Sequence, residues 1–219
     1  MSRYDLIIFD CDGVLVDSEL IACRVVAACL TEAGFALEAD DIRGFIGASS
    51  RDMYARLAER FGRPVPDAVP AAVAPRLRRA FEAELAPIAG VAALLERVRV
   101  TTCVASSSEP QRIRHSLTCA GLLDHFGGRL FSASMVARGK PAPDLFLHAA
   151  DALAVVPARC LVVEDSVPGI QAAAAAGMTA IGFTGGAHCR LGHAGALRRA
   201  GAREIARTMH ALAPMLGVR

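Results

Sequence analysis

Apolar positions along the chain fall into short blocks separated by longer stretches with helical spacing. Leu6–Phe9, Cys103–Ala105 with its extension back to Val100, and Leu161–Val163 are runs of strand length. Thr179–Phe183 follows a glycine, and Leu130–Phe131 makes a shorter fifth run. Each is bounded by Gly, Pro or polar residues, the punctuation that ends strands. The segments Glu109–Ala120, Pro143–Ala154 and Val167–Ala176 between them have helical spacing. Strands alternating with helices predict right-handed βαβ units and an α/β fold whose parallel sheet is covered on both faces. Such sheets place ligand chemistry at the carboxyl ends of their strands.

One stretch breaks the alternation. From Ser18 to about Ala86 only helical patterns occur: Glu19–Ala33, Ala39–Phe45, Arg51–Phe61 and Pro70–Leu85. A connection that long is no ordinary crossover. It predicts a small all-helical cap, residues 17–86, inserted after the first strand of a core made of residues 1–16 and 87–219.

Composition narrows the class. With 53% hydrophobic and 21% charged residues, the 219-residue chain is too apolar for disorder and long enough for a good core plus a smaller unit. A net charge of +2 gives no footprint for nucleic acid. Arg198, Arg199, Arg203 and Arg207 read as a solvated helix face. The apolar run after Asp5 is too short for a signal peptide, and the alanine-rich stretch at 172–180 falls short of the ~20 residues of a membrane span. Seven cysteines, odd in number and without C-x-x-C, predict a reduced cytoplasmic protein, expected to be a monomer.

Candidate chemistry follows the strands. Asp10-Cys11-Asp12-Gly13 ends the first, and alternation would put both carboxylates on one side, where they repel unless a cation or a shared proton relieves them. Ser106-Ser107-Ser108 follows the second, and hydroxyls before a helix make either an anion site or an N-cap. Glu164-Asp165-Ser166 ends another strand, where adjacent carboxylates serve as helix-dipole partners or as ligands for a hard cation. Lys140 is the only lysine among 24 basic residues, the rest being arginine. An ammonium is a compact point charge that a planar guanidinium does not replace in a tight site. An attacking carboxylate, an acid/base, charge clamps and a metal site form the inventory of phosphoryl transfer. His188, Cys189 and His193, in a Gly-rich loop, are either zinc ligands lacking a fourth partner or plain surface residues.

These motifs resemble those of the haloacid dehalogenase-like superfamily, in particular its capped phosphatases similar to beta-phosphoglucomutase and sugar-phosphate phosphatases. The match runs through Asp10-x-Asp12-Gly13-Val14, Ser106, Lys140-Pro141 and Glu164-Asp165-Ser166 with Pro168-Gly169-Ile170. The resemblance implies a Rossmann-like core with a helical cap. It implies Asp10 as nucleophile, Asp12 as acid/base, and Mg²⁺ on Asp10, the Asp12 carbonyl, Glu164 and Asp165. It also implies that Ser106, Ser107 and Lys140 hold the phosphoryl group, and that the cap loop Gly47–Arg51, with Ser49, Ser50 and Arg51, reads the substrate. Ser107-Ser108-Glu109 departs from relatives that carry a basic residue after the motif serine, and Val14 from the threonine of many phosphatases.

The expected enzyme is therefore a Mg²⁺-dependent phosphoric monoester hydrolase acting on a small phosphorylated metabolite: a sugar, sugar acid or polyol phosphate. A phosphomutase is the alternative, and an idle phosphate- or metal-binding regulator a third reading. Mutases of the resembling group carry a histidine where this chain has Ala22 and an arginine where it has Ser50, which favours hydrolysis.

Overall fold

The apolar runs form strands. A computed structural model describes residues 3–47 and 49–218, and it divides the chain into two compact units: Met1–Asp17 with Ala86–Arg219, and Ser18–Leu85. The larger unit holds β1 (Leu6–Phe9), β2 (Thr101–Ser106), β3 (Leu130–Ser132), β4 (Cys160–Glu164), β5 (Thr179–Phe183) and β6 (Glu204–Ala206). All pairings are parallel and the strand order is β3-β2-β1-β4-β5-β6. The α/β parallel-sheet architecture expected from the alternation is thus observed. β1 and β4 are buried at every position, as strands covered on both faces must be, and this is why they read as unbroken apolar runs.

The smaller unit contains α1 (Glu19–Glu32), α2 (Ala39–Arg43), α3 (Ser50–Phe61) and α4 (Ala68–Glu84), and no strand among the described residues. Its core gathers Leu30, Phe35, Leu37, Met53 and Leu57, with Phe35 edge-on to Phe61 at 5.2 Å between ring centres. The larger unit adds α5 (Val91–Arg97), α6 (Pro110–Cys119), α7 (Asp144–Ala152), α8 (Val167–Ala175), α9 (His193–Ala200) and α10 (Met209–Met215). Its core packs Leu6, Ile8, Cys103, Leu145, Phe146, Val162 and Ile170 about the sheet.

Departures cluster at the C-terminal end. Arg198 and Arg199 do lie in the last turn of α9, but Arg203 and Arg207 flank β6 and belong to no helix. β6 escapes a periodicity reading because it spans three residues at the sheet edge, beside charged positions. Cys11, Cys23, Cys29, Cys103 and Cys160 are buried, and all seven cysteines are free.

Candidate active site

The chain leaves β1 to build β2 on one side of it and β4 on the other. That reversal point brings three strand ends together, the place where parallel sheets bind ligands. Asp10 follows β1, Ser106 ends β2 and Glu164 ends β4. The Asp10 N–H donates to the Val163 carbonyl at 3.0 Å, so the nucleophile candidate is pinned to β4 by its own backbone. The chain then folds back on itself: Leu15 and Val16 N–H both donate to the Cys11 carbonyl, and Gly13 N–H donates to Val16. Gly13 has φ +79°, and a Cβ there would fall 1.9 Å from Asp165 Oδ2. Only glycine meets both demands.

Lys140, just before α7, reaches this point. Its ammonium donates to Asp10 Oδ1 at 2.7 Å, to Glu164 Oε2 at 2.7 Å and to the Ala105 carbonyl at 3.1 Å. Its side chain is 4% exposed. Three acceptors at one buried point suit three rotatable N–H donors. Burial opposes the charge, but Asp10 and Glu164 more than compensate and hold the ammonium above its ordinary pKa.

Asp10, Glu164 and Asp165 are all buried, and their ligand oxygens lie within 4.8 Å of one another. Two of these carboxylates, Asp10 and Glu164, share the Lys140 ammonium. Burial first, then the Glu164 charge, push Asp10 well above the usual carboxylate range, and the same two causes raise Asp165. This all-oxygen, charge-rich donor set fits a hard divalent cation. Within it the two acidic neighbours differ. Glu164 Oε1 accepts from Ser166 N–H (3.0 Å) and Oγ (2.7 Å), while Oε2 accepts from Lys140, so both its oxygens are engaged by protein. α8 packs directly on this side chain, since a Cβ on Gly169 would come 2.0 Å from Glu164 Cδ.

Asp12 is held by residues outside the expected set. Ser108 Oγ donates to its Oδ2 at 2.8 Å and Arg112 Nη2 to its Oδ1 at 3.2 Å. Arg112 comes from the first turn of α6. The signal was an arginine near the start of the helix that follows the serine loop. Among the expected serines, Ser106 is buried and accepts from Ser108 N–H, and Ser107 is exposed. None of the three caps α6, whose N-cap position is Glu109. Burial, then Asp12 and Asp10, raise the Cys11 thiol far above its ordinary pKa and leave it no thiolate nucleophile.

Ser49, Ser50 and Arg51 belong to the helical unit, and Ala48 of that loop lies outside the described residues. Ser49 is the N-cap of α3, accepting from Asp52 N–H and donating to Asp52 Oδ2 at 2.8 Å; Ser50 and Arg51 are exposed.

A family model described as haloacid dehalogenase-like hydrolase matches residues 4–177. The chain belongs to the haloacid dehalogenase-like hydrolases. It is 33% identical over 190 residues to 6-phosphogluconate phosphatase of Escherichia coli (strain K12), covering 86% of both chains. A haloacid dehalogenase-like protein of unknown function from Agrobacterium tumefaciens str. C58 superimposes with TM-score 0.87 at 38% identity, over 98% of each chain. A family hydrolase from Deinococcus radiodurans R1, solved with bound phosphate and sodium, gives TM-score 0.81 at 34% identity over 99% of this chain and 96% of that one. The enzyme class expected from the sequence, a phosphoric monoester hydrolase, is the class of this haloacid dehalogenase-like hydrolase.

Proposed function

We propose that this hydrolase removes phosphate from a small phosphorylated carbohydrate or sugar acid, with Asp10 as nucleophile and Mg²⁺ as cofactor. The observation that carries the reading is the Lys140 ammonium, buried and bonded at 2.7 Å to both Asp10 and Glu164 where the strand order reverses about β1. Lys140 keeps Asp10 an oriented carboxylate, and Asp10 attacks phosphorus to give an aspartyl phosphate. Asp12, held by Ser108 and Arg112, gives a proton to the leaving oxygen and then takes one from the water that cleaves the intermediate. Ser106, Ser107 and Lys140 bind the transferring group. Bound Mg²⁺ would neutralise phosphoryl charge, held by Asp10, the Asp12 carbonyl and Asp165, with Glu164 chiefly anchoring Lys140. The sugar-acid class is supported by the 6-phosphogluconate phosphatase likeness. We assign residues 18–85 the role of a substrate-reading cap, with Ser49, Ser50 and Arg51 in its loop, and we place the protein in the cytoplasm as a monomer. Free buried thiols suit a reducing compartment, and no described helix is long and apolar enough to cross a membrane.

Hydrolysis is preferred to mutation because the positions Ala22 and Ser50 lack side chains that could shield an aspartyl phosphate from water. The test is phosphate release from a panel of sugar, sugar-acid and polyol phosphates, with Mg²⁺ and with excess chelator. Release that requires Mg²⁺ and disappears in folded Asp10→Asn is expected. Full activity in chelator would remove the metal. Conversion of beta-glucose 1-phosphate to glucose 6-phosphate, primed by the 1,6-bisphosphate and with little free phosphate, would make it a mutase.

A further inference from the structure

The loop from Thr184 to His193, between β5 and α9, lies beyond the stretch matched by the family model. Its two histidines converge on one residue. His188 Nε2 is 2.9 Å from Asp165 Oδ2, and both side chains are almost wholly buried. His193 Nε2 is 2.6 Å from the Asp165 backbone carbonyl, and since a carbonyl only accepts, this nitrogen donates. Side chain and main chain of Asp165 are therefore held by the same loop. The rings themselves stand edge to face, 5.9 Å apart.

Glycines make room for this clamp from both sides. A Cβ on Gly13 would lie 1.9 Å from Asp165 Oδ2 and 2.7 Å from His188 Cε1. A Cβ on Gly186 would lie 2.8 Å from His188 Cε1 and Nδ1, and 2.9 Å from the Gly13 carbonyl. The backbones of Gly13 and Gly186 thus close on the imidazole. The loop is tied down a third time where Ala187 N–H donates to Asp17 Oδ1 at 3.0 Å. A surface loop that carried its histidines by chance would not bury one of them against a carboxylate between two glycine backbones.

We propose that His188 and His193 are positioning residues that hold Asp165 in the geometry a divalent cation requires. This rests on the reading of Asp165 as a metal ligand. An imidazole N–H orients a carboxylate through a single directed hydrogen bond. His188 fixes the direction of the Asp165 carboxylate through Oδ2. Both Nε2 atoms face Asp165, so a zinc ion on His188, Cys189 and His193 would have to use the Nδ1 atoms and the Cys189 thiol, a rival reading that the experiment below separates.

Loss of a partner that orients a metal ligand typically weakens metal affinity by about 10- to 100-fold. The experiment is Mg²⁺ titration by calorimetry, and Mn²⁺ titration by electron paramagnetic resonance, on the full chain without substrate. Wild type should bind one ion and Asp165→Asn should lose it. His188→Ala should bind with a dissociation constant raised by roughly 10- to 100-fold, and His188→Gln, which keeps an N–H donor, should recover part of that loss. Gly186→Ala, which crowds the ring, should weaken binding in the same direction even if His188→Ala does not fold. At saturating Mg²⁺ the kcat of His188→Ala should approach that of wild type. A folded His188→Ala or Gly186→Ala that binds Mg²⁺ as tightly as wild type overturns the clamp. An ion that binds equally well to Asp165→Asn overturns instead the metal-ligand reading beneath it. Stoichiometric Zn²⁺ binding lost in Cys189→Ala, with Mg²⁺ binding unaffected by His188→Ala, would return the cluster to the soft-metal role.

Discussion

Asp10, Asp12 and Lys140 define the candidate site at the scale of single residues. The lysine's three donors have three acceptors, one of them a backbone carbonyl, so its ammonium is fixed in direction as well as in charge. A guanidinium is wider and planar, and its five donors diverge where those acceptors converge. Lys140→Arg is therefore expected to lower kcat/KM by on the order of 10²-fold or more, measured as phosphate release at saturating Mg²⁺. Near-normal kcat/KM would show that position 140 needs only a positive charge. The same scale holds what the sequence hid. Arg112 shows in the sequence only as an arginine near the start of a helix, and folding alone brings its guanidinium to a carboxylate a hundred positions earlier in the chain.

Single elements act here through their ends. β1, β4 and α8 put Asp10, Glu164 and Asp165 together because strand and helix termini are fixed by packing beneath them. α8 begins at an N-cap, Ser166, whose Oγ accepts from Gly169 N–H at 3.1 Å and donates to Glu164. Its third residue must be glycine for the helix to rest on the Glu164 side chain. Gly169→Ala would ordinarily favour a helix. At this position the added methyl displaces Glu164 or α8, and overpacking of this kind costs about 1–3 kcal/mol. The measurement is a urea unfolding curve paired with phosphate release. Both stability and activity should fall, since Glu164 anchors Lys140, and unchanged values in both would show that α8 shifts freely.

At the scale of the whole protein, the larger unit carries a charge conflict among Asp10, Glu164 and Asp165 that the proposed cation would resolve. Asp10 and Asp165 have pKa values raised by burial and by the neighbouring carboxylates. Groups raised in this way bind protons more tightly folded than unfolded, so they lower stability as pH climbs from the ordinary carboxylate range, around 4, through their raised values. In chelator, urea midpoints should fall across that window as pH rises. Mg²⁺ should raise the midpoint most at its upper end. Equal pH slopes with and without Mg²⁺ would show that no cation answers these carboxylates. The parallel sheet, the all-helical unit, Asp10, Glu164 and Asp165 as residues placed at strand ends, and Lys140 as the cation of a tight site were legible in the sequence. Buried strands must be continuously apolar, strand ends carry ligand chemistry, and a lone lysine in an arginine-rich chain stands out. Three features depended on contacts between residues far apart in the chain, which no local pattern records. These are the engagement of Glu164 by Lys140, the hold of Ser108 and Arg112 on Asp12, and the closing of His188 and His193 on Asp165. Hydrophobic period and strand-end chemistry are written locally, whereas the partner of each buried charge is chosen only when the sheet assembles and leaves it within reach of one neighbour and not another.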